Sequence, residues 1–238
     1  MESVSSLSNL KSNYLVSVAC DIRFPTLLIT RNKIPEYQAK IRNEFPNLEI
    51  DLSGLAGILP NPPAELNEWI FTSKDNNKKI KVNVNRLVYI LSKYPGYNAF
   101  KADINKYLLE FFKLCKIDRY TRVGIRYTND IPLEKNDLIE ELLELFNPVI
   151  SVDVIENHPP YQFQSEYRWS SDKYKITLWN LLIKDNLGQY TYRIDIDAYT
   201  EIEGEISKVN SIIDNLHKEL LSVFKENIKK KFIERTKG

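Results

Sequence analysis

Residues 122–133 read RVGIRYTNDIPL. Alternation puts Val123, Ile125 and Tyr127 on one side and Arg122, Gly124 and Arg126 on the other, the period-two pattern of a strand with one buried face. Gly124, lacking a side chain, leaves room between the two arginines. The TNDIP that follows reads as turn chemistry releasing the chain toward a helix. The stretch therefore opens a second half of the chain, and what precedes it has the same order of elements.

In the first half, YLVSVACDIRF (14–24) alternates as a half-buried strand. IPEYQAKIRNEF follows with Ile34, Tyr37, Ile41 and Phe45 at helical spacing and Pro35 in the first turn of the helix. Trp69–Ser73, a polar KDNNKK turn and IKVNVNRLVYIL read as a hairpin. Residues 98–115 form an amphipathic helix through Phe100, Ile104, Leu108, Phe111 and Cys115. In the second half, NDLIEELLELF is a helix beginning near Asn136. Four strands follow: VISVDVIE, YQFQSEYRW, YKITLWNLLI and YTYRIDIDAY. One long helix over roughly Ile206–Arg235 closes the chain.

Both halves run strand, helix, several strands, helix. EWIFTSKDNNKKIKV and EYRWSSDKYKITL echo one another locally. The expected fold is α+β: two strand-helix-strands-helix repeats in a mainly antiparallel curved sheet, with one-sided helices covering one face. The layout resembles that of the TATA-binding protein, which implies nothing about DNA. The expected organisation is a flexible N-terminus over 1–13 and repeats over 14–117 and 118–238, either as two units or as one continuous domain.

The charge balance excludes several function classes. With 33 basic and 32 acidic residues the net charge is +1, so the chain is no bulk electrostatic binder of nucleic acid or membrane. No apolar run approaches the ~20 residues that span a bilayer. The N-terminus lacks the apolar core of a signal peptide. Cys20 and Cys115 both fall in apolar-periodic segments, which suits buried thiols in a reducing compartment. A cytoplasmic protein is expected.

Chemistry-bearing residues cluster on the polar sides of the strands. Arg122, Arg126, Arg168 and Arg193 could gather on one sheet face beside Trp179, and arginine's planar fork suits carboxylate or phosphate. The plainer reading, which is preferred, pairs them with Glu166, Asp195 and Asp197 across strands. Asp195 and Asp197 share a side at strand spacing and are the candidate metal ligands, though no third carboxylate or phosphate loop accompanies them. His158 and His217 lie in no nucleophile context. Residues 134–144 carry a net −4 and residues 225–238 a net +4. Lysines at a helix C-terminus are the simplest account of the basic end.

EFPNLEID, WIFTSKDNNKKIKV, RVGIRYTNDIPL and NLHKELLSVFKENIKKKFIER resemble, in order, the motifs of a sporadically distributed prokaryotic TIGR-catalogued family of unknown function. The resemblance spans nearly the whole chain. It implies no chemistry; its patchy distribution implies a defence or toxin–antitoxin setting. Thr128 stands where that family commonly has an aliphatic residue, and Val123 where it has leucine.

Three functions are therefore carried forward. The first is a non-catalytic module binding a protein partner, with no cofactor and with a homodimer possible. The second is a nucleotide or nucleic-acid binder using the arginines. The third is a metal-dependent phosphoryl-transfer enzyme centred on Asp195 and Asp197.

Overall fold

The computed structural model describes residues 14–51, 68–134, 138–148, 160, 162–171 and 173–237. It is an α+β protein built on a nine-stranded open sheet whose hydrogen-bonded order is β2-β3-β4-β5-β1-β7-β10-β9-β8. These strands are β1 (Leu15–Arg23), β2 (Asn47–Asp51), β3 (Glu68–Thr72), β4 (Lys78–Asn83), β5 (Arg86–Leu91), β7 (Arg122–Pro132), β8 (Gln162–Ser170), β9 (Lys175–Lys184) and β10 (Tyr190–Thr200). A separate pair joins β6 (Arg119–Tyr120) to β11 (Gly204–Glu205). The helices are α1 (Ile29–Ile41), α2 (Tyr97–Asp103), α3 (Leu109–Cys115), α4 (Leu138–Leu145), α5 (Val209–Asn227) and α6 (Lys230–Lys237).

The chain divides into two compact units, one of Met1–Val16, Arg126–Ala198 and Leu216–Gly238, the other of Ser17–Ile125 and Tyr199–Asn215. In the second of these, antiparallel register aligns Cys20 with Tyr89, Ile22 with Leu87, Ile80 with Tyr89 and Phe71 with Ile80. All six are buried, so the alternation read from the sequence builds one continuous apolar face. Helices α1 to α3 cover it: the Tyr37 ring meets Phe71 and Phe111 edge-on, and Phe100 stacks on Tyr89. Such aromatic pairs add roughly 0.5–1.5 kcal/mol each beyond their burial.

The spacing 100, 104, 108 advances four residues per turn, slightly more than an α-helix allows. The chain responds with a π-turn over Ile104–Leu108 between α2 and α3, which keeps all three residues buried. The hydroxyl of the fully buried Tyr37 donates to the Tyr107 carbonyl in this turn, at 3.1 Å. Lys116 takes a left-handed conformation and stops the helix, and the N–H of Ile117 closes back on the Phe112 carbonyl at 2.8 Å.

In the other unit Tyr192, Ile194 and Ile196 are buried, and Phe146, just past α4, packs between Tyr192 and Phe232 of α6. Phe146 lies 4.7 Å from the Tyr192 ring and 5.5 Å from that of Phe232.

Several boundaries differ from the sequence reading. Pro35 sits inside α1, which begins at Ile29, six residues earlier than a proline in the first turn would imply. IKVNVNRLVYIL is two strands, because Asn83 accepts the N–H of Asn85 through its side chain at 3.0 Å and turns the chain without glycine. EFPNLEID contains β2, an edge strand. TNDIP is no turn: β7 continues to Pro132, with Asn129 buried and donating to the Ile194 carbonyl at 3.2 Å. The final helix breaks at Ile228, where Phe146 forms a β-bridge to it and Asn227 caps the Val223 carbonyl at 2.8 Å. Residues 1–13, the strand expected over VISVDVIE and His158 lie outside the described residues.

Candidate functional site

The polar sheet face of the unit containing Arg126 is assembled from alternate positions of four strands. It takes Arg126 and Asp130 from β7, Arg193, Asp195 and Asp197 from β10, Trp179 from β9, and Glu166 and Arg168 from β8. Register confirms the last step, since Glu166 stands directly opposite Trp179 and Arg168 opposite Thr177.

At its centre, Arg126 donates through Nε and Nη2 to the two oxygens of Asp195, at 2.8 and 2.7 Å. Its guanidinium carbon lies 4.8 Å from the centre of the Trp179 ring. The planar fork is thus fixed from the side by a bidentate carboxylate and from below by an aromatic face. Pairing with Asp195 holds the Arg126 pKa above its ordinary value against the opposing effect of burial. Arg193 forks in the same way onto Asp130, at 2.5 and 2.7 Å, and its pKa rises for the same reason. Arg168 pairs with Glu166 two residues away on its own strand.

The exposures are unequal. The Arg126 side chain is 50% exposed over an Asp195 that is 7% exposed, and Arg168 is 71% exposed over a Glu166 that is 35% exposed. In these two pairs the arginine is the outer group and the carboxylate the inner one. Both oxygens of Asp195 are engaged by Arg126, so a metal there would have to displace a guanidinium. Among the described residues no group of three His, Cys, Asp or Glu side chains is placed to hold a metal.

Arg122 belongs to the other unit and has a different role. It is 10% exposed and donates to Asp21 Oδ2 at 2.6 Å, while Arg86 binds the same carboxylate at 2.9 and 3.3 Å. Its guanidinium folds back over Gly124 and lies 4.3 Å from the centre of the Tyr199 ring. The space at Gly124 is filled by Arg122 itself. Sequence reasoning grouped Arg122 with the outward arginines because period two says which side a residue faces, not how deep it lies.

Three further arrangements were not visible in the sequence. Asp130, read as a turn residue, is the partner of Arg193. His217 brings Nδ1 within 2.8 Å of the Tyr127 hydroxyl, a packed pair on the helix-covered side. The acidic and basic segments meet one another: Arg235 binds Glu141 at 2.8 Å and Glu134 at 2.9 Å, and Lys231 binds Glu144.

Comparison of the chain with protein-family models finds no match, and comparison with curated proteins finds none either. No helix among the described residues is long and apolar enough to cross a membrane.

Proposed function

We propose that the chain is a non-catalytic binding protein that engages a protein partner across the polar sheet face carrying Arg126, Trp179 and Arg168. The observation behind this reading is that Arg126 is locked between Asp195 and Trp179 while half of its side chain stays exposed. A contact residue already held in one rotamer loses little entropy on association, and arginine and tryptophan are the residue types that most often dominate interface energetics. Two duplicated halves belong to the same proposal, supported by the strand order, in which β3-β4-β5-β1 is mirrored by β8-β9-β10-β7. A cytoplasmic location also belongs to it, supported by the two free, buried thiols. A place in a defence or toxin–antitoxin locus rests on the family resemblance alone.

The test is affinity capture from the native host with the unsubstituted chain and with Arg126→Ala/Trp179→Ala. The expected result is a defined partner held by the former and lost by the latter, with both chains showing the same circular dichroism. Retention of that partner by the double variant would refute the assignment of this face, and a partner-free chain would refute the reading itself.

The nucleic-acid alternative draws on the same arginines. Two observations weigh against it. The charges that the four strands place on this face, counting Lys175, are balanced four to four. In the +4 end of the chain, Arg235 and Lys231 are engaged by Glu134, Glu141 and Glu144. A polyanion is held mainly by long-range attraction to excess positive charge.

A further inference from the structure

Resting on the binding reading above, we propose that the partner presents an acidic peptide segment, whose Asp or Glu carboxylates dock on the outward edges of Arg126 and Arg168 on either side of Trp179. The argument turns on the difference between near and far electrostatics. At long range the face offers no net charge, so it does not attract a phosphate backbone. At contact range Arg126 and Arg168 stand outside the carboxylates that hold them. The Nε–Nη2 edge of Arg126 is committed to Asp195. A guanidinium carries five N–H donors in one plane, so the edge that turns away from Asp195 keeps donors on Nη1 and Nη2.

Those donors are aimed by the carboxylate beneath and the ring below, and they match a single carboxylate in geometry. Arg168, the more exposed of the pair, lies one strand beyond Trp179 and pairs with Glu166 through Nε. Strands in a sheet lie about 4.8 Å apart, so the path from β7 to β8 crosses a width that a short extended peptide spans. Trp179, between the two, seats the Arg126 guanidinium against its ring, so its emission reports on what docks there.

The probe is a blocked octapeptide of alternating Glu and Ala. Its controls are the Gln–Ala equivalent and an oligothymidylate of ten nucleotides. Binding is read at low salt from the emission of Trp179 in a chain carrying Trp69→Phe and Trp169→Phe, and by calorimetry on the unsubstituted chain should that variant not fold. The Glu–Ala peptide is expected to saturate. Its affinity should drop by at least about tenfold with Arg126→Ala, with Arg168→Ala, and with the Gln–Ala control, which is the scale of one lost charge-assisted pair. Absence of saturation by the Glu–Ala peptide, tighter binding of the oligothymidylate, or equal binding of the Gln–Ala control would each overturn the inference. A captured partner that depends on Arg126 but contacts it without acidic residues would leave the binding reading standing and refute this one.

Discussion

Arg235 donates to Glu141 at 2.8 Å across 94 residues of sequence. The Glu141 side chain is only 3% exposed, and its other oxygen accepts the backbone N–H of Glu134 at 2.7 Å. Here the −4 and +4 segments of the sequence meet, and Arg235 and Lys231 form a clasp on α4.

Removing the guanidinium takes the charged partner away from a carboxylate whose side chain is almost fully buried. Arg235→Ala should therefore destabilise the protein by about 2–3 kcal/mol, somewhat below the range for a fully buried pair because Arg235 is 20% exposed. Lys231→Ala should cost close to nothing, since Lys231 is 61% exposed. Urea midpoints of the two variants measure the contrast. Equal midpoints would show that the clasp contributes no more than a surface pair.

Gly124 is required by the arginine that folds over it. A Cβ there would lie 2.9 Å from Arg122 Nη1 and 3.1 Å from Tyr199 Cβ. Gly124→Ala should cost about 1–2 kcal/mol by overpacking. In an Arg122→Ala background the same change should cost measurably less, because the tightest contact is gone. A double-mutant cycle by thermal denaturation decides it, and strict additivity would show that Arg122 does not occupy this space.

The turn between β3 and β4 is held by an acid. Asp75 accepts from the Ser73 hydroxyl at 2.6 Å, from the Asn77 backbone at 3.1 Å and from the Asn77 side chain at 2.5 Å. Led by the Ser73 hydroxyl, these bonds hold its pKa at about 2, below the ordinary 3.8. A folded value below the unfolded one means the contribution is complete above pH 3.8 and disappears as pH falls toward about 2. The stability gap between the native chain and Asp75→Asn should narrow over that window. A gap that stays constant from pH 5 to pH 2 would contradict the assignment.

Both thiols should be silent in the native state. Burial pushes Cys115 up to about 12 and Cys20 higher still, and the thiolate is the reactive form. A disulfide-exchange reagent at pH 8 is expected to titrate neither until guanidinium unfolds the chain, and then both. Prompt reaction of the native protein would place at least one thiol at the surface.

The sheet was legible where side chains alternate, as in Val18, Cys20 and Ile22 or Ile194 and Ile196, because burial imposes that period directly. It was illegible where a turn is made by a side chain instead of by glycine: Val84 is apolar and buried, so the stretch through it reads as one strand. The break at Ile228 was hidden for a similar reason. Apolar residues recur on both sides of it, and only Asn227 signals the change. Of the site, the pairing of Arg168 with Glu166 follows from spacing within one strand. The depth of Arg122 and the partnerships of Arg126 with Asp195 and of Arg193 with Asp130 depend on neighbouring strands that no local pattern specifies.

The clasp between α4 and α6 also has a consequence for the order in which the chain is made. Glu144 and Glu141 are synthesised 87 and 94 residues ahead of Lys231 and Arg235. Contacts so distant in sequence form late, after the intervening strands have been made. The clasp on α4 therefore closes only once residue 235 has been made, which makes it a contact of the last stage of folding.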